Sequence, residues 1–125
     1  MNNSIITQYK IDFKVVQEEY MGRMAPIKYP YIEDDKLFDF LDAWRNPNNI
    51  DEDLLPLIKN AINGNLAVHE DDVCGGFTLI ILDESVAKTY NANVTSLSNP
   101  ISIIPIQDFK QIVEGWRDFL LGISI

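Results

Sequence analysis

From Pro105 onward the apolar positions of the chain are Ile106, Phe109, Ile112, Val113, Trp116, Phe119 and Leu120, spaced three, three, one, three, three and one residues apart. A period near 3.6 puts them on one broad face of a helix. Gln107, Lys110, Gln111, Glu114, Arg117 and Asp118 fall on the opposite face. Gly122 follows the last periodic residue and marks the stop. Before Pro105 the pattern is different. Ile101, Ile103 and Ile104 form a short β-branched run, the signature of a strand leading into the helix. A helix with an indole and two phenyl rings on one side is expected to lie on a sheet and close the core.

Earlier in the chain the pattern alternates. Ile11, Phe13 and Val15 are interleaved with Asp12 and Lys14, which predicts a half-buried strand within Ile5 to Val16, ended by Glu18 and Glu19. Tyr20 to Tyr31 contains Gly22, Pro26 and Pro30 and reads as an irregular segment covering the core. Glu33, Asp34 and Asp35 precede a helix predicted over Lys36 to Trp44, where acids suit the free N–H groups and the dipole. Arg45 to Asn49 reads as a turn. A second short helix starts at Asp51 to Asp53, with Asp53 as N-cap and Pro56 third in the helix, and stops at Asn63-Gly64-Asn65. The sheet is expected to resume near Leu66 to Val68. Phe77 to Leu82 is almost wholly apolar and suits a central strand covered on both faces. Val86 to Tyr90 pairs back, and Asn91 to Asn99 is a loop. The expected fold is therefore a single α+β domain over residues 1–125: an antiparallel sheet, two short helices, and a long C-terminal helix packed on it.

Composition narrows the function classes. The chain has 125 residues, 46% of them hydrophobic, which is enough for a core without staples. Its net charge of −9 repels nucleic acid and anionic lipid and favours a cationic partner. No apolar run approaches the roughly 20 residues of a membrane span. The N-terminal stretch lacks a basic head followed by an apolar block, so no signal peptide is expected. With one cysteine, Cys74, no internal disulfide can form, and a cytoplasmic setting is expected.

Candidate chemistry is thin. His69-Glu70-Asp71-Asp72, with Cys74 close by, combines metal-capable groups, but its spacing fits no zinc or calcium loop. An acidic turn before a strand accounts for it. Nothing places His69 and Cys74 as a nucleophile pair, and Gly75-Gly76 lacks the rest of a phosphate loop. No catalysis, metal or cofactor is expected. What remains is acidic surface: Glu33, Asp34, Asp35, Asp39 and Asp42; Asp51, Glu52 and Asp53; and Glu70, Asp71 and Asp72. Such a surface can pair with the Lys and Arg of a basic enzyme.

Ile104-Pro105-Ile106, Asp108-Phe109, Ile112, Trp116 and Phe119-Leu120 resemble the strand-to-helix step of bacterial immunity proteins, the small partners of polymorphic and contact-dependent growth-inhibition toxins. Tyr20-Met21-Gly22-Arg23-Met24 is similar to segments of that group as well. The matching positions are core positions and cover about a third of the chain. The resemblance implies an α+β domain that binds and blocks one cognate toxin, with no catalysis of its own. Joined to the acidic surface, it leads to an expected mechanism of occlusion, the toxin being basic and a nuclease by preference. Glu33, Asp34, Asp35, Asp39, Glu70, Asp71 and Asp72 are the expected contacts, with Tyr29 and Tyr31 as aromatic anchors. The alternatives are a non-catalytic adaptor or assembly subunit and, behind these, a small hydrolase.

Overall fold

A computed structural model of the chain describes residues 1–73, 76–91 and 96–124, and of residues 71–73 and 76–78 the backbone alone. The architecture is α+β. Helix α1 (Asn3–Tyr9) leads into a hairpin of β1 (Asp12–Tyr20) and β2 (Arg23–Tyr31). Helix α2 (Asp35–Ala43) follows, then a helical run made of α3 (Pro47–Asn49), a π turn (Ile50–Leu54) and α4 (Leu55–Ile62). The chain then lays down β3 (Ala67–Val73), β4 (Gly76–Leu82), β5 (Val86–Tyr90) and β6 (Ser102–Pro105) as an antiparallel sheet in that order, and ends in α5 (Ile106–Leu120).

The C-terminal helix is where its periodicity placed it. Ile106, Phe109, Ile112, Val113 and Trp116 are all buried, and Gly122 takes a left-handed φ of 81° just past the end. Helix α2 also forms as expected, with Asp34 as its N-cap accepting from the N–H groups of Lys36 and Leu37 at 2.9 and 3.2 Å.

Five expectations are corrected. Residues 3–9 are helical instead of the start of a strand, because the Asn2 side chain caps them by accepting from Ser4 N–H at 2.8 Å. The Tyr20 to Tyr31 segment is regular: a two-residue turn at Met21 and Gly22, with φ of 51° and 79°, closes a nine-pair hairpin. Two positive φ values in a row give the turn the twist that hairpins favour. Residues flanking such a turn form a hydrogen-bonded pair, so alternation leaves Pro26 and Pro30 at positions whose nitrogens face away from β1. Their missing donors cost the ladder nothing.

The third correction concerns Pro56. The helix around it begins at Pro47, capped by Asn46, and not at Asp51 to Asp53. Pro56 therefore sits inside a helical run, where its ring would collide with the preceding turn. The π turn just before it widens the backbone, with Leu55 N–H reaching Ile50 C=O. Finally, β4 is central, but among the described residues its two faces are covered unequally. Ile80 and Leu82 are buried against the helices, whereas Leu79 and Ile81 on the other face stay half-exposed. The acidic run from His69 onward also lies in strand β3 and not in a turn.

The helices and the hairpin meet at Trp116. Its indole N–H donates to Trp44 C=O at 2.8 Å, and Phe13 of β1 meets its ring edge-on with centroids 5.3 Å apart. Lys28 of β2 donates to the carbonyls of Phe119 and Leu120 at 2.9 and 3.0 Å, closing the negative end of α5.

Two stability predictions follow from the turns. Met21 holds a left-handed conformation that costs an ordinary side chain about 1 kcal/mol. Met21→Asn is expected to raise the unfolding free energy by about that amount in a urea melt. In the β4–β5 turn the Asp83 carboxylate accepts from Val86 and Ser85 N–H at 2.8 and 2.7 Å, which holds its pKa below the usual carboxylate range. The unfolded chain then takes up this proton first as pH falls, so the contribution is present above about pH 4 and lost below it. Asp83→Asn keeps an acceptor in the turn and should flatten the loss of stability between about pH 4 and 2.

Candidate functional site

A cleft of about 660 Å³ lies between the start of α2 and the outer edge of β6. Glu33, Asp34, Asp35 and Lys36 line one side, Ile101 to Ile104 the other, and Gln8, Tyr9 and Asn91 complete it. The strand-to-α2 connection places the acids here. Glu33 N–H donates to Tyr9 C=O at 3.2 Å, which ties the connection to the end of α1.

These carboxylates are not equivalent. Glu33 pairs with Lys10 at 2.8 Å, but both side chains are well exposed, so the pair contributes little. Asp34 is engaged as the cap of α2. Asp35 and Asp39 lie one turn apart on α2, and among the described residues neither makes an ion pair. Other acids are committed internally. Asp51 and Asp118 hold Arg117 at 2.9 and 3.1 Å, tying α5 to the π turn. Asp42 sits 2.9 Å from Arg45, close enough for charge attraction although its buried oxygen is not aligned for a hydrogen bond.

Tyr9 is the polar anchor of the cleft floor. Its hydroxyl donates to Asp108 of α5 at 2.6 Å. Burial, and then the hydrogen bond and charge of Asp108, push the phenol pKa far above its ordinary value.

Tyr29 and Tyr31 take a different place from that expected of free anchors. They stand 5.5 Å apart on β2, with Tyr31 stacked on Phe38 at 5.6 Å. Tyr29 donates to Glu18 at 2.7 Å, which raises its phenol pKa, and Arg45 lies over its ring. Lys14 lies over Tyr31 at 4.9 Å. Both tyrosines are half-buried. They hold the hairpin to α2.

The expected contact set therefore divides. Glu33, Asp34 and Asp35 gather at the cleft, with Asp39 a turn further along α2 and the two tyrosines on the adjoining hairpin. Glu70 lies on β3, at the opposite edge of the sheet from β6. The side chains of Asp71 and Asp72, like Cys74, lie outside the described residues. His69 faces the helices, 6.1 Å from the Phe40 ring and 5.4 Å from Trp44. Among the described residues no group of three metal-capable side chains comes together. Sequence reading missed Tyr9, Ile101 and Ile103 as part of the cleft. The available signal was the Asn2 cap followed by Ile5, Ile6 and Tyr9 at helical spacing. Chemically, the cleft mouth offers carboxylates to a cation above a floor of isoleucine and a locked phenol.

No family model, no curated protein and no solved structure matches the chain.

The Tyr9 phenol is expected to be the last tyrosine to ionise in an alkaline absorbance titration of the folded protein, and Tyr9→Phe should remove that late step. A raised folded pKa means that stability is full below the unfolded value near pH 10 and falls above it. Tyr9→Phe should therefore show a shallower loss of stability between about pH 10 and 12.

Proposed function

We propose that this chain is an immunity protein that binds a cognate toxin and neutralises it by covering its active site. The observation that carries the reading is that Asp35 at the cleft and Asp39 one turn further along α2 make no ion pair among the described residues, on a chain with net charge −9. The internal basic groups are spent elsewhere: Lys28 on the end of α5, Arg45 on Asp42, Arg117 on Asp51 and Asp118. Asp35 and Asp39 are thus available to engage lysines and arginines of a partner, and Glu33 can exchange its exposed pair with Lys10 for one. A nuclease fits best, because it needs such residues to hold phosphates. The chain acts by binding and carries out no reaction in this reading. No helix among the described residues is long and apolar enough to cross a membrane, which accords with a partner met in the cytoplasm.

Acidic groups of this kind act chiefly on the encounter rate, since long-range attraction orients the partners before contact. The test is co-expression of this chain with the C-terminal domain encoded by the gene immediately upstream. Rescue of growth and a co-purifying complex are expected. A neighbour whose toxicity is untouched overturns the reading in favour of a different binding role. With the complex in hand, Glu33→Gln, Asp35→Asn and Asp39→Asn combined should slow association about tenfold at low ionic strength and flatten its salt dependence. An unchanged association rate would remove electrostatic steering from the mechanism.

A further inference from the structure

The helices cover one face of the four-stranded sheet, and the other face is apolar. Strand register sets Val68, Ile81, Lys88 and Ile103 in one row across all four strands. Glu70, Leu79 and Tyr90 form the next row, of which Tyr90 is buried. Val68 and Ile103 are each 56% exposed, at the two ends of the first row. Leu66, Ile101 and Leu97 add further exposed apolar surface around them. Tyr90 donates its hydroxyl to Leu97 C=O at 2.8 Å, which draws the 96–98 segment onto this end of the sheet. The continuous apolar run of β4 is that of a strand buried on both sides, yet among the described residues Leu79 and Ile81 on its far face are only partly covered. An exposed apolar face of this extent in a soluble domain marks an interaction site.

The surroundings of the face define what fits it. Glu33, Asp34 and Asp35 stand beside the β6 edge, Glu70 lies on β3, and Asp83 and Glu84 occupy the β4–β5 turn. Carboxylates thus border the apolar rows on three sides, and Lys88 is the cation within them. A second copy of this chain would press the same carboxylates against each other. We infer that the open face of the sheet is the apolar centre of the partner interface, and that its occupant is a protein surface with an apolar middle and a lysine- and arginine-rich rim. This inference rests on the immunity reading and deepens it. The acids at the cleft form the rim of the contact, while Val68, Ile81 and Ile103 form its dehydrated centre.

The test uses the full chain and the upstream-encoded toxin domain, with affinity measured by titration calorimetry and folding by circular dichroism. Val68→Lys with Ile103→Lys buries cations against the partner's apolar middle, inside a basic rim, and is expected to weaken binding at least a hundredfold. Val68→Ser with Ile103→Ser removes apolar contact alone and is expected to weaken it about tenfold, with the fold intact. Met24→Ser on the hairpin should leave affinity unchanged. If the wild type binds and both double variants bind equally well, this face is not the interface, and the immunity reading stands without it. If the toxin domain neither binds the wild type nor is silenced by it, the immunity reading and this occupant fall together. A wild-type dimer in sedimentation equilibrium that Val68→Lys with Ile103→Lys dissociates would assign the face to a second copy and overturn the inference.

Discussion

Burial of the apolar side of α5 is the constraint on which the other elements depend. Phe109 meets Phe40 of α2 with ring centroids 5.7 Å apart, and Phe13 of β1 meets Trp116 and Phe119. Trp116 is fully buried, and its one polar atom is satisfied by the carbonyl that ends α2. Burying an indole without a partner for that N–H would forfeit much of the gain. The hydrogen bond to Trp44 therefore fixes where α2 can stop, and with it where the helical run from Pro47 can begin. The hairpin is held by the same helix from another side, through Phe13 and through Lys28 on its terminal carbonyls.

How legible each element was follows from how local its cause is. α5, α2 and the strand run of β4 are written in periodicity and caps that lie within the elements themselves. The β1–β2 hairpin was not legible, because prolines read as breakers unless the register is known, and register is set by the turn and the partner strand. The π turn before Pro56 was hidden for a related reason. It depends on the helix having started a full turn earlier at the Asn46 cap. The unequal covering of the two faces at Leu79 to Leu82 could not be read from Phe77 to Leu82, since an apolar run reports what a strand prefers and not what the chain provides. For the site, residue type and local order were sufficient to group Glu33, Asp34 and Asp35. The cleft they face depends on β6, almost 70 residues downstream, and no local pattern encodes that approach.

The distribution of charge has its own logic. Cations are placed where backbone or carboxylate acceptors converge: the end of α5, the junction of α5 with the π turn, and the bend after α2. Acids serve helix starts and turns, as Asp34 and Asp83 do, and the surplus lies on the surface. With Lys28, Arg45 and Arg117 committed to internal contacts and 19 acids against 10 lysines and arginines, the exterior is negative.

The two prolines of β2 matter beyond the hairpin they interrupt in appearance only. Their nitrogens point outward, so the free edge of that strand lacks donors at Pro26 and Pro30. A neighbouring chain that tried to extend the ribbon there would meet gaps in the ladder every fourth residue. Growth into a fibril, or strand exchange between two molecules, is thereby blocked on one side of the hairpin. Any such misassembly has to proceed from the β1 edge, where Lys14 and Asp12 at the base and Glu18 and Glu19 near the tip keep like strands apart.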